Sequence, residues 1–388
     1  MSTLIRSTEA AALLNVSKAT LYAYVSRGRL DRTTGADGRT SLFARDEVLR
    51  LAERSRRKPS GPRATIDVQV SSAVTTIDES SLRYRGHGVS TLATEHSFED
   101  VTELLWSGGA VPTGTVWPPD APTDRTAIDP LRSLDLSPIG RIAVTAHVMA
   151  ARHPDDAPAA AAKRLLLAAP AALGSERRTG AYARRLTAAW RRRPSAELVA
   201  AVDAALVLLA DHELATSTLA VRIAASVRTS PPVAFAAGLA CLEGALHGSA
   251  SAEAHRFLAA CADDGAAVMI ARFRSEHRQV PGFGHKVYRG VDPRYPVLLD
   301  RVRRLDPDGA AMVDAVVAEA GRVMPHQPNV DLALGALTWV AGLEPDTPIF
   351  AVARIAGWGA HYAEEVAERP VRFRGVATPL RRDPDDSG

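Results

Sequence analysis

Apolar residues recur every three or four positions along most of the chain, which is the period of an α-helix with a buried face. The clearest run follows Ser97, where Phe98, Val101, Leu104 and Leu105 share one helical face. Similar runs predict further helices, among them 232–246, 252–273, 308–324, 330–343 and 348–367. Alternating patterns typical of strands are rare, so the sequence predicts an all-α protein.

The first part of the chain has shorter elements than the rest. Ser7 or Thr8 is expected to cap a first helix, and a second helix buries Leu21 and Val25. A hairpin is predicted over 35–43, because Asp-Gly supplies the turn chemistry there, and an amphipathic helix follows it. This order resembles the winged helix-turn-helix of MerR-like and excisionase-like DNA-binding domains.

The net charge of the N-terminal part supports this interpretation. Residues 1–63 carry thirteen Lys and Arg against six Asp and Glu, a balance of +7, so the rest carries −4 of the total +3. Lys18, Tyr22 and Arg27 lie outside on the second helix, where they are expected to contact DNA. A basic appendage that touches no nucleic acid is the alternative. The linker-like text at 56–63 predicts a domain boundary after residue 62.

Several function classes find no support in the sequence. No signal-peptide pattern and no membrane-length apolar run is present, which favours a cytoplasmic protein without a membrane partner. Two cysteines, Cys241 and Cys261, favour a reducing compartment without a disulfide framework, although two cysteines could pair. Nucleotide-binding glycine motifs and metal-ligand spacings are absent, so we expect no metal and no permanently bound cofactor.

Four short stretches interrupt the helical pattern with chemically active side chains. They are "DHELATST" (211–218), "EGALHGSASAEA" (243–254), "PGFGHKVYRGVDPR" (281–294) and "PNVDLALG" (328–335), and "FAVARIAGWGAHYAEEVAERP" (350–370) follows them. Their order and spacing resemble citrate synthase and 2-methylcitrate synthase, as do the earlier "LRYRGHGVSTLA" and "FEDVTELLWSG". The resemblance runs from about residue 66 to about residue 375.

The resemblance implies both an activity and an architecture. The activity is condensation of acetyl-CoA with oxaloacetate, followed by thioester hydrolysis to citrate and CoA. The architecture is a two-domain, all-α citrate synthase fold after the N-terminal domain of residues 1–62. Its large domain would combine 63–247 with 342–388, and its small domain would be 248–341. The resemblance also implies a homodimer whose active sites are shared between subunits.

Three catalytic roles follow from the resemblance. It makes Asp331 the base that removes a proton from the methyl carbon, and His247 the donor to the thioester oxygen. His285 would polarise the ketone of oxaloacetate. These residue types suit the reaction. Removal of the methyl proton needs a base and a donor to the enolate oxygen, and attack on the ketone needs a second donor to the ketone oxygen.

The resemblance implies substrate contacts as well. His212 would contact the dicarboxylate, and Arg294, Arg354 and Arg369 would hold its carboxylates, the last from the neighbouring subunit. Guanidinium groups suit this task because they bind carboxylates with two parallel hydrogen bonds.

Contacts with acetyl-CoA, the co-substrate, are implied in the stretch 281–294. Gly282 and Gly284 would let the backbone turn tightly against the acyl-CoA, and Arg289 would meet one of its phosphates.

The sequence leaves two points open. Ser249, Ser251, Leu332 and Leu334 depart from the family pattern, so the acyl group could be acetyl, propionyl or another chain. A DNA-binding regulator that senses oxaloacetate or acyl-CoA is a second class of function, although it would not need a base such as Asp331. Each residue also has an ordinary alternative, such as a helix N-cap for Asp331.

Overall fold

The computed structural model describes residues 4–14, 21, 25, 30–35, 40–45, 47–48, 68–244, 247–285, 287–288 and 290–374. The chain divides into two compact units, Met1–Val70 and Ser71–Gly388. The predicted linker at 56–63, the DNA-contact residues Lys18, Tyr22 and Arg27, and the CoA-contact residue Arg289 lie outside the described residues.

The first unit has a small antiparallel sheet beside its first helix. Strand β1 (Leu4–Arg6) runs directly into α1 (Ser7–Leu14), and β3 (Ser41–Ala44) pairs with both β1 and β2 (Thr33–Thr34). The predicted hairpin is therefore formed by β2 and β3, with its turn outside the described residues. Ser7 and Thr8, the predicted caps of α1, are the first two residues of that helix, which follows β1 directly.

The second unit opens with a three-stranded sheet and continues as a helical bundle. The strands are β4 (Thr75–Ile77), β5 (Leu82–Tyr84) and β6 (His87–Gly88), paired in sequence order. The helices are α2 (Val89–Glu95), α3 (Phe98–Ser107), α4 (Pro122–Ile128), α5 (Pro138–Arg152), α6 (Pro158–Ala172), α7 (Tyr182–Thr187), α8 (Ala196–Leu209), α9 (Thr216–Ser226), α10 (Pro231–Glu243), α11 (Ala250–Asp264), α12 (Ala266–Ser275), α13 (Arg294–Leu305), α14 (Pro307–Val323), α15 (Val330–Val340) and α16 (Ile349–Ala367).

Most predicted helices are present with small shifts at their ends. Ser97 caps α3 through a capping box with Asp100, which explains the sharp start that the sequence predicted. The single helix predicted over 252–273 was wrong, because Gly265 has φ +91° and separates α11 from α12. A glycine in this conformation ends a helix at no steric cost, so the break follows from the local sequence.

Two helices form the centre of the second unit. Helix α8 is apolar on nearly every side, and its residues from Ala204 to Leu209 are all buried. Helix α16 buries Trp358, Arg354 and His361 among others. Because α16 carries charged side chains inside the core, each of them needs a partner or a ligand there.

The helices in the described part of the chain include none that combines the length and apolar character needed to cross a membrane. Among the same residues, no cluster of three or more His, Cys, Asp or Glu is arranged to hold a metal ion. Cys241 and Cys261 are free thiols.

Candidate active site

Backbone hydrogen bonds join two loops that carry predicted catalytic residues. The Gly284 N–H donates to the carbonyl of Gln327 (2.8 Å), and the Asn329 N–H donates to the carbonyl of Gly282 (3.0 Å). The Asn329 side chain donates to the carbonyl of Gly284 (2.7 Å). We call this contact between 282–284 and 327–329 the loop seam. It fixes His285, which follows one loop, relative to Asp331, which follows the other.

The loop seam explains the glycines of "PGFGH". Gly282 and Gly284 have φ +80° and +82°, which side chains of L-residues rarely adopt. A Cβ on Gly282 would also lie 2.6 Å from the Cβ of Leu332, closer than atoms can pack. Glycine is thus required for the packing of the two loops. A role of these glycines toward acyl-CoA stays a prediction.

His285 has a defined hydrogen-bonding direction. Its Nδ1 accepts from the N–H groups of Val287 (3.0 Å) and Tyr288 (3.3 Å). An Nδ1 that accepts carries no proton, so the neutral ring has its proton on Nε2. This tautomer makes Nε2 a donor, as polarisation of a ketone oxygen requires.

His212 and Tyr288 lie beside His285. The ring centroids of His212 and His285 are 5.3 Å apart, and those of His285 and Tyr288 are 4.5 Å apart. The Tyr288 hydroxyl lies 3.2 Å from Nε2 of His212. Desolvation, followed by the charges of Arg294 and Arg354, holds the pKa of His212 well below its ordinary value. His212 is therefore neutral at pH 7.

The two predicted carboxylate-binding arginines on this chain differ in their partners. Arg294 is buried and bound by two hydrogen bonds from Nε and Nη2 to the Asp292 carboxylate, at 2.9 and 2.8 Å. Burial alone would lower the pKa of Arg294, but Asp292 outweighs burial and raises it. Asp292 also accepts from the N–H of Val330 (3.1 Å), so it ties the start of α13 to the start of α15.

Arg354 has fewer hydrogen-bond partners than Arg294 for its buried charge. It is 2% exposed, its guanidinium lies 4.8 Å from the centroid of Phe350, and Nε and Nη1 have no hydrogen-bond partner among the described residues. Burial lowers its pKa, and the nearby Asp211 opposes that shift. A buried guanidinium with unused donors is costly by itself. The site therefore fits an anionic ligand that would accept these hydrogen bonds.

Asp331 lies in the first turn of α15. Asn329, and not Asp331, is the N-cap, since its Oδ1 accepts from the N–H groups of Asp331 (3.0 Å) and Leu332 (3.4 Å). The N-cap alternative for Asp331 is thus wrong. Desolvation raises the pKa of Asp331, against the opposing charge of Arg294. A raised pKa makes this carboxylate a stronger base.

His247 and Arg369 complete the set of predicted residues. Nε2 of His247 accepts from the N–H of Ser217 (3.3 Å), which leaves the proton on Nδ1 in the neutral ring. The His247 ring lies 6.5 Å from the ring of Phe350, and so next to the Arg354 side of the site. Arg369 is exposed after the end of α16 and makes no hydrogen bond or ion pair with the described residues.

Two cavities lie along this set of residues. One of about 440 Å³ is lined by Glu79, Gly284, His285, Val287, Tyr288, Gly290, His326 and Gln327. The other, of about 210 Å³, contains Phe350 and the residues that follow His247, namely Gly248, Ser249, Ser251 and Ala252, in its wall. Both departures from the family pattern after His247 therefore face this second cavity.

Sequence reasoning missed Tyr288 and Asp292. Both lie in the stretch 281–294 that the sequence singled out, and an aspartate two residues before Arg294 could have been recognised as its partner. Tyr288 offered no comparable signal, because its contact with His212 joins residues 76 positions apart.

Most of the chain is similar to known protein families. Residues 66–374 match the family model of the citrate synthase C-terminal domain, and residues 4–56 match that of a helix-turn-helix domain. The 2-methylcitrate synthase of Mycobacterium tuberculosis is 29% identical, over 74% of this chain and 81% of that protein. A citrate synthase of Mycolicibacterium smegmatis is 30% identical, over 75% of this chain and 86% of that protein.

A solved structure supports the fold independently. It is the ternary complex of a citrate synthase from Thermoplasma acidophilum with carboxymethyl coenzyme A and oxaloacetate, which is 23% identical in sequence to this chain. The TM-score is 0.67, and the alignment covers 82% of this chain and 96% of that chain. The second unit thus shares its helical architecture with that protein.

Proposed function

Because the chain belongs to the citrate synthase family and begins with a helix-turn-helix domain, we propose that it is a citrate synthase with an added N-terminal regulatory unit. The reaction joins acetyl-CoA to oxaloacetate and releases citrate and CoA. The observation that carries the proposal is the pair formed by Arg354, buried with unused donors, and His285, whose Nε2 is a donor. An oxo-dicarboxylate has carboxylate oxygens that can accept from the Nε and Nη1 donors of Arg354, and a ketone oxygen that can accept from Nε2 of His285.

The chemistry divides between three side chains. Asp331 takes a proton from the methyl carbon of acetyl-CoA, and Nδ1 of His247 donates to the enolate oxygen that forms. The methyl carbon then bonds to the ketone carbon, while Nε2 of His285 donates to the ketone oxygen and stabilises its negative charge. Water finally cleaves the thioester, which releases CoA as the thiol and leaves the third carboxylate of citrate.

The substrate carboxylates would bind to the arginines. Arg354 and Arg294 lie on the same chain as the catalytic residues, and His212 adds a neutral contact. Arg369 is exposed on its own chain, which agrees with a role in the active site of a second subunit. We therefore propose a homodimer in which each site needs both chains, with closure of a small domain (248–341) on a large one (63–247 and 342–388) excluding water.

The activity is tested by measuring thiol release from acetyl-CoA or propionyl-CoA with oxaloacetate. We expect release that depends on oxaloacetate and is lost in His285→Ala. Shared sites are tested by mixing His285→Ala with Arg369→Ala, two inactive variants. Reassociated heterodimers then have one complete site in two, which restores about a quarter of the parental activity. No restoration would place Arg369 outside the neighbouring site.

A second candidate is a preference for propionyl-CoA, which would make the protein a 2-methylcitrate synthase. The cavity of about 210 Å³ beside Phe350 favours it, because that space adjoins His247, where the acyl group would bind. The ratio of kcat/KM for the two thioesters distinguishes the candidates. A ratio above one for propionyl-CoA over acetyl-CoA would reassign the acyl substrate without changing the rest of the mechanism.

A DNA-binding regulator is the third candidate, and the helix-turn-helix match favours it. We expect the full-length protein to shift DNA from upstream of its own coding sequence, with an affinity that falls as salt is added. Replacing both Lys18 and Arg27 by alanine should abolish the shift, and replacing Arg192 and Arg193 should not. Binding unaffected by the first pair would remove the second helix from the DNA interface.

A further inference from the structure

A series of buried charged groups begins beside His212. Asp211 is fully buried, and its carboxylate accepts from the Thr75 hydroxyl at 2.5 Å. The ring of His361 approaches the same carboxylate, with Nε2 at 3.2 Å from Oδ1 and 3.3 Å from Oδ2. Asp211 is thereby held against the middle of α16.

Arg222 on α9 continues the series. It is fully buried, and its Nη1 lies 2.9 Å from Nδ1 of His361. The same guanidinium donates to Glu365 through Nε and to Glu364 through Nη1, each at 2.9 Å. Since Nδ1 of His361 accepts here, the neutral ring donates from Nε2 to Asp211.

The series ends in the segment that carries Arg369. Arg372 donates to both oxygens of Glu365, from Nε at 2.7 Å and from Nη2 at 2.6 Å. Two further contacts hold this segment near the end of α9: the N–H of Val371 donates to the carbonyl of Ser226 (3.0 Å), and the Arg228 side chain donates from Nη2 to the carbonyl of Glu368 (2.9 Å). Arg372 makes the only side-chain ion pairs between residues 369–374 and the rest of the described chain.

We propose that Arg372, anchored through Glu365, Arg222 and His361 to Asp211, is a positioning residue that orients Arg369 for the substrate carboxylate in the partner subunit's active site. This inference rests on the proposed function, in which Arg369 acts between subunits.

Geometry makes Arg372 suited to this role. A guanidinium bound to a carboxylate by two hydrogen bonds fixes both distance and orientation. Glu365 cannot move toward Arg372, because Arg222 holds it from the buried side. An arginine three residues earlier in a short surface segment would otherwise lose much side-chain and backbone entropy when it binds a ligand, which weakens binding.

The test is steady-state kinetics of Arg372→Ala in the full-length dimer. Loss of the anchor should raise the oxaloacetate KM about tenfold and leave kcat within about twofold, because a positioned contact with a spectator carboxylate is lost in ground and transition states alike. Glu365 keeps Arg222 as its partner in this variant, so we expect an unchanged melting temperature. Arg374→Ala is the matched control, since it removes the same charge two residues later and should behave as the parent.

Heterodimers decide which site Arg372 serves. In the first heterodimer, one chain carries both His285→Ala and Arg372→Ala, and the other chain is parental. The only active site is then that of the parental chain, and it receives Arg369 from the altered chain. We expect the raised KM there. With His285→Ala and Arg372→Ala on separate chains, the active site receives Arg369 from a chain with Arg372 intact, and the parental KM should return.

Three outcomes would overturn the inference. They are a parental KM in Arg372→Ala, an equal KM increase in Arg374→Ala, and a raised KM that stays with the chain carrying Arg372→Ala. Failure of the proposed function would look different, since the parent would then release no thiol or the His285→Ala and Arg369→Ala mixture would stay inactive.

Discussion

The loops that carry His285 and His212 meet at one site but are held in place by different forces. The loop seam fixes His285 with neutral hydrogen bonds from backbone groups and from Asn329. Asp211, the residue before His212, is instead a buried carboxylate held by polar side chains, chiefly His361 and Thr75.

The two loops are therefore sensitive to different kinds of substitution. The loop seam needs close packing of two backbones, so an added side chain that finds no space should separate its two loops. The loop of Asp211 and His212 depends on a buried carboxylate, so removing or protonating one member of its contacts should destabilise it. The ion pair of Arg294 and Asp292 combines both kinds of contact. It is a buried pair of charges, and Asp292 also accepts from the N–H of Val330, the residue that follows the loop seam.

Arg294→Leu should have the largest effect on stability. It leaves the Asp292 carboxylate buried without its partner, which costs about 3–5 kcal/mol. Thermal unfolding should show a strongly lowered melting temperature. Adding Asp292→Asn should recover most of the stability but leave the oxaloacetate KM high, because the carboxylate grip is still missing. An equal rescue of both quantities would show that Arg294 serves the fold alone.

Asp331→Asn tests whether the loop seam serves to position a base. We expect kcat to fall about 100-fold or more, with oxaloacetate binding preserved, as for loss of a positioned general base. In the parent, Asp331 must be deprotonated to act, and desolvation raises its pKa above 3.8. The acidic limb of the kcat/KM profile should therefore lie above pH 3.8 and disappear in the variant. Turnover within a few-fold of the parent would remove Asp331 from this role.

Much of this site could be predicted from sequence because its signals are local. "PGFGH" and "PNVD" stand out in apolar helical text, and the helices around them follow from periodicity. The loop seam could not be derived, since Asn329 and Gly284 are 45 positions apart. The buried contact of Asp211 with His361 spans 150 positions and gives no periodic signal. The spacing of His361, Glu364 and Glu365 on one helix was visible, but it equally fits a solvent-exposed face.

Gly282→Ala should break the loop seam by shape alone. The added Cβ would lie 2.6 Å from Leu332, and φ +80° would be strained for alanine, by about 1–3 kcal/mol. The two loops must then separate, so we expect kcat/KM to fall about tenfold or more through displacement of His285 from Asp331. Gly321→Ala is the control, because a Cβ there meets no atom within 4 Å. Equal activity of both variants would contradict the packing argument.

The smallest expected effect separates the two loops by pH. Burial alone would raise the pKa of Asp211, but the contact with His361 outweighs burial and lowers it below 3.8. A lowered pKa in the folded state stabilises the protein above pH 3.8, and this stabilisation is lost as the pH falls through the folded value. The destabilisation caused by Asp211→Asn should therefore be smaller at about pH 3 than at about pH 6. Asn329→Ala should cost about 1 kcal/mol at both pH values, because an amide does not titrate and only its cap and its bond to Gly284 are lost. Chemical unfolding of the parent and both variants at the two pH values measures these differences. A cost for Asn329→Ala that changes with pH as much as that of Asp211→Asn would show that the two loops are not held by different forces.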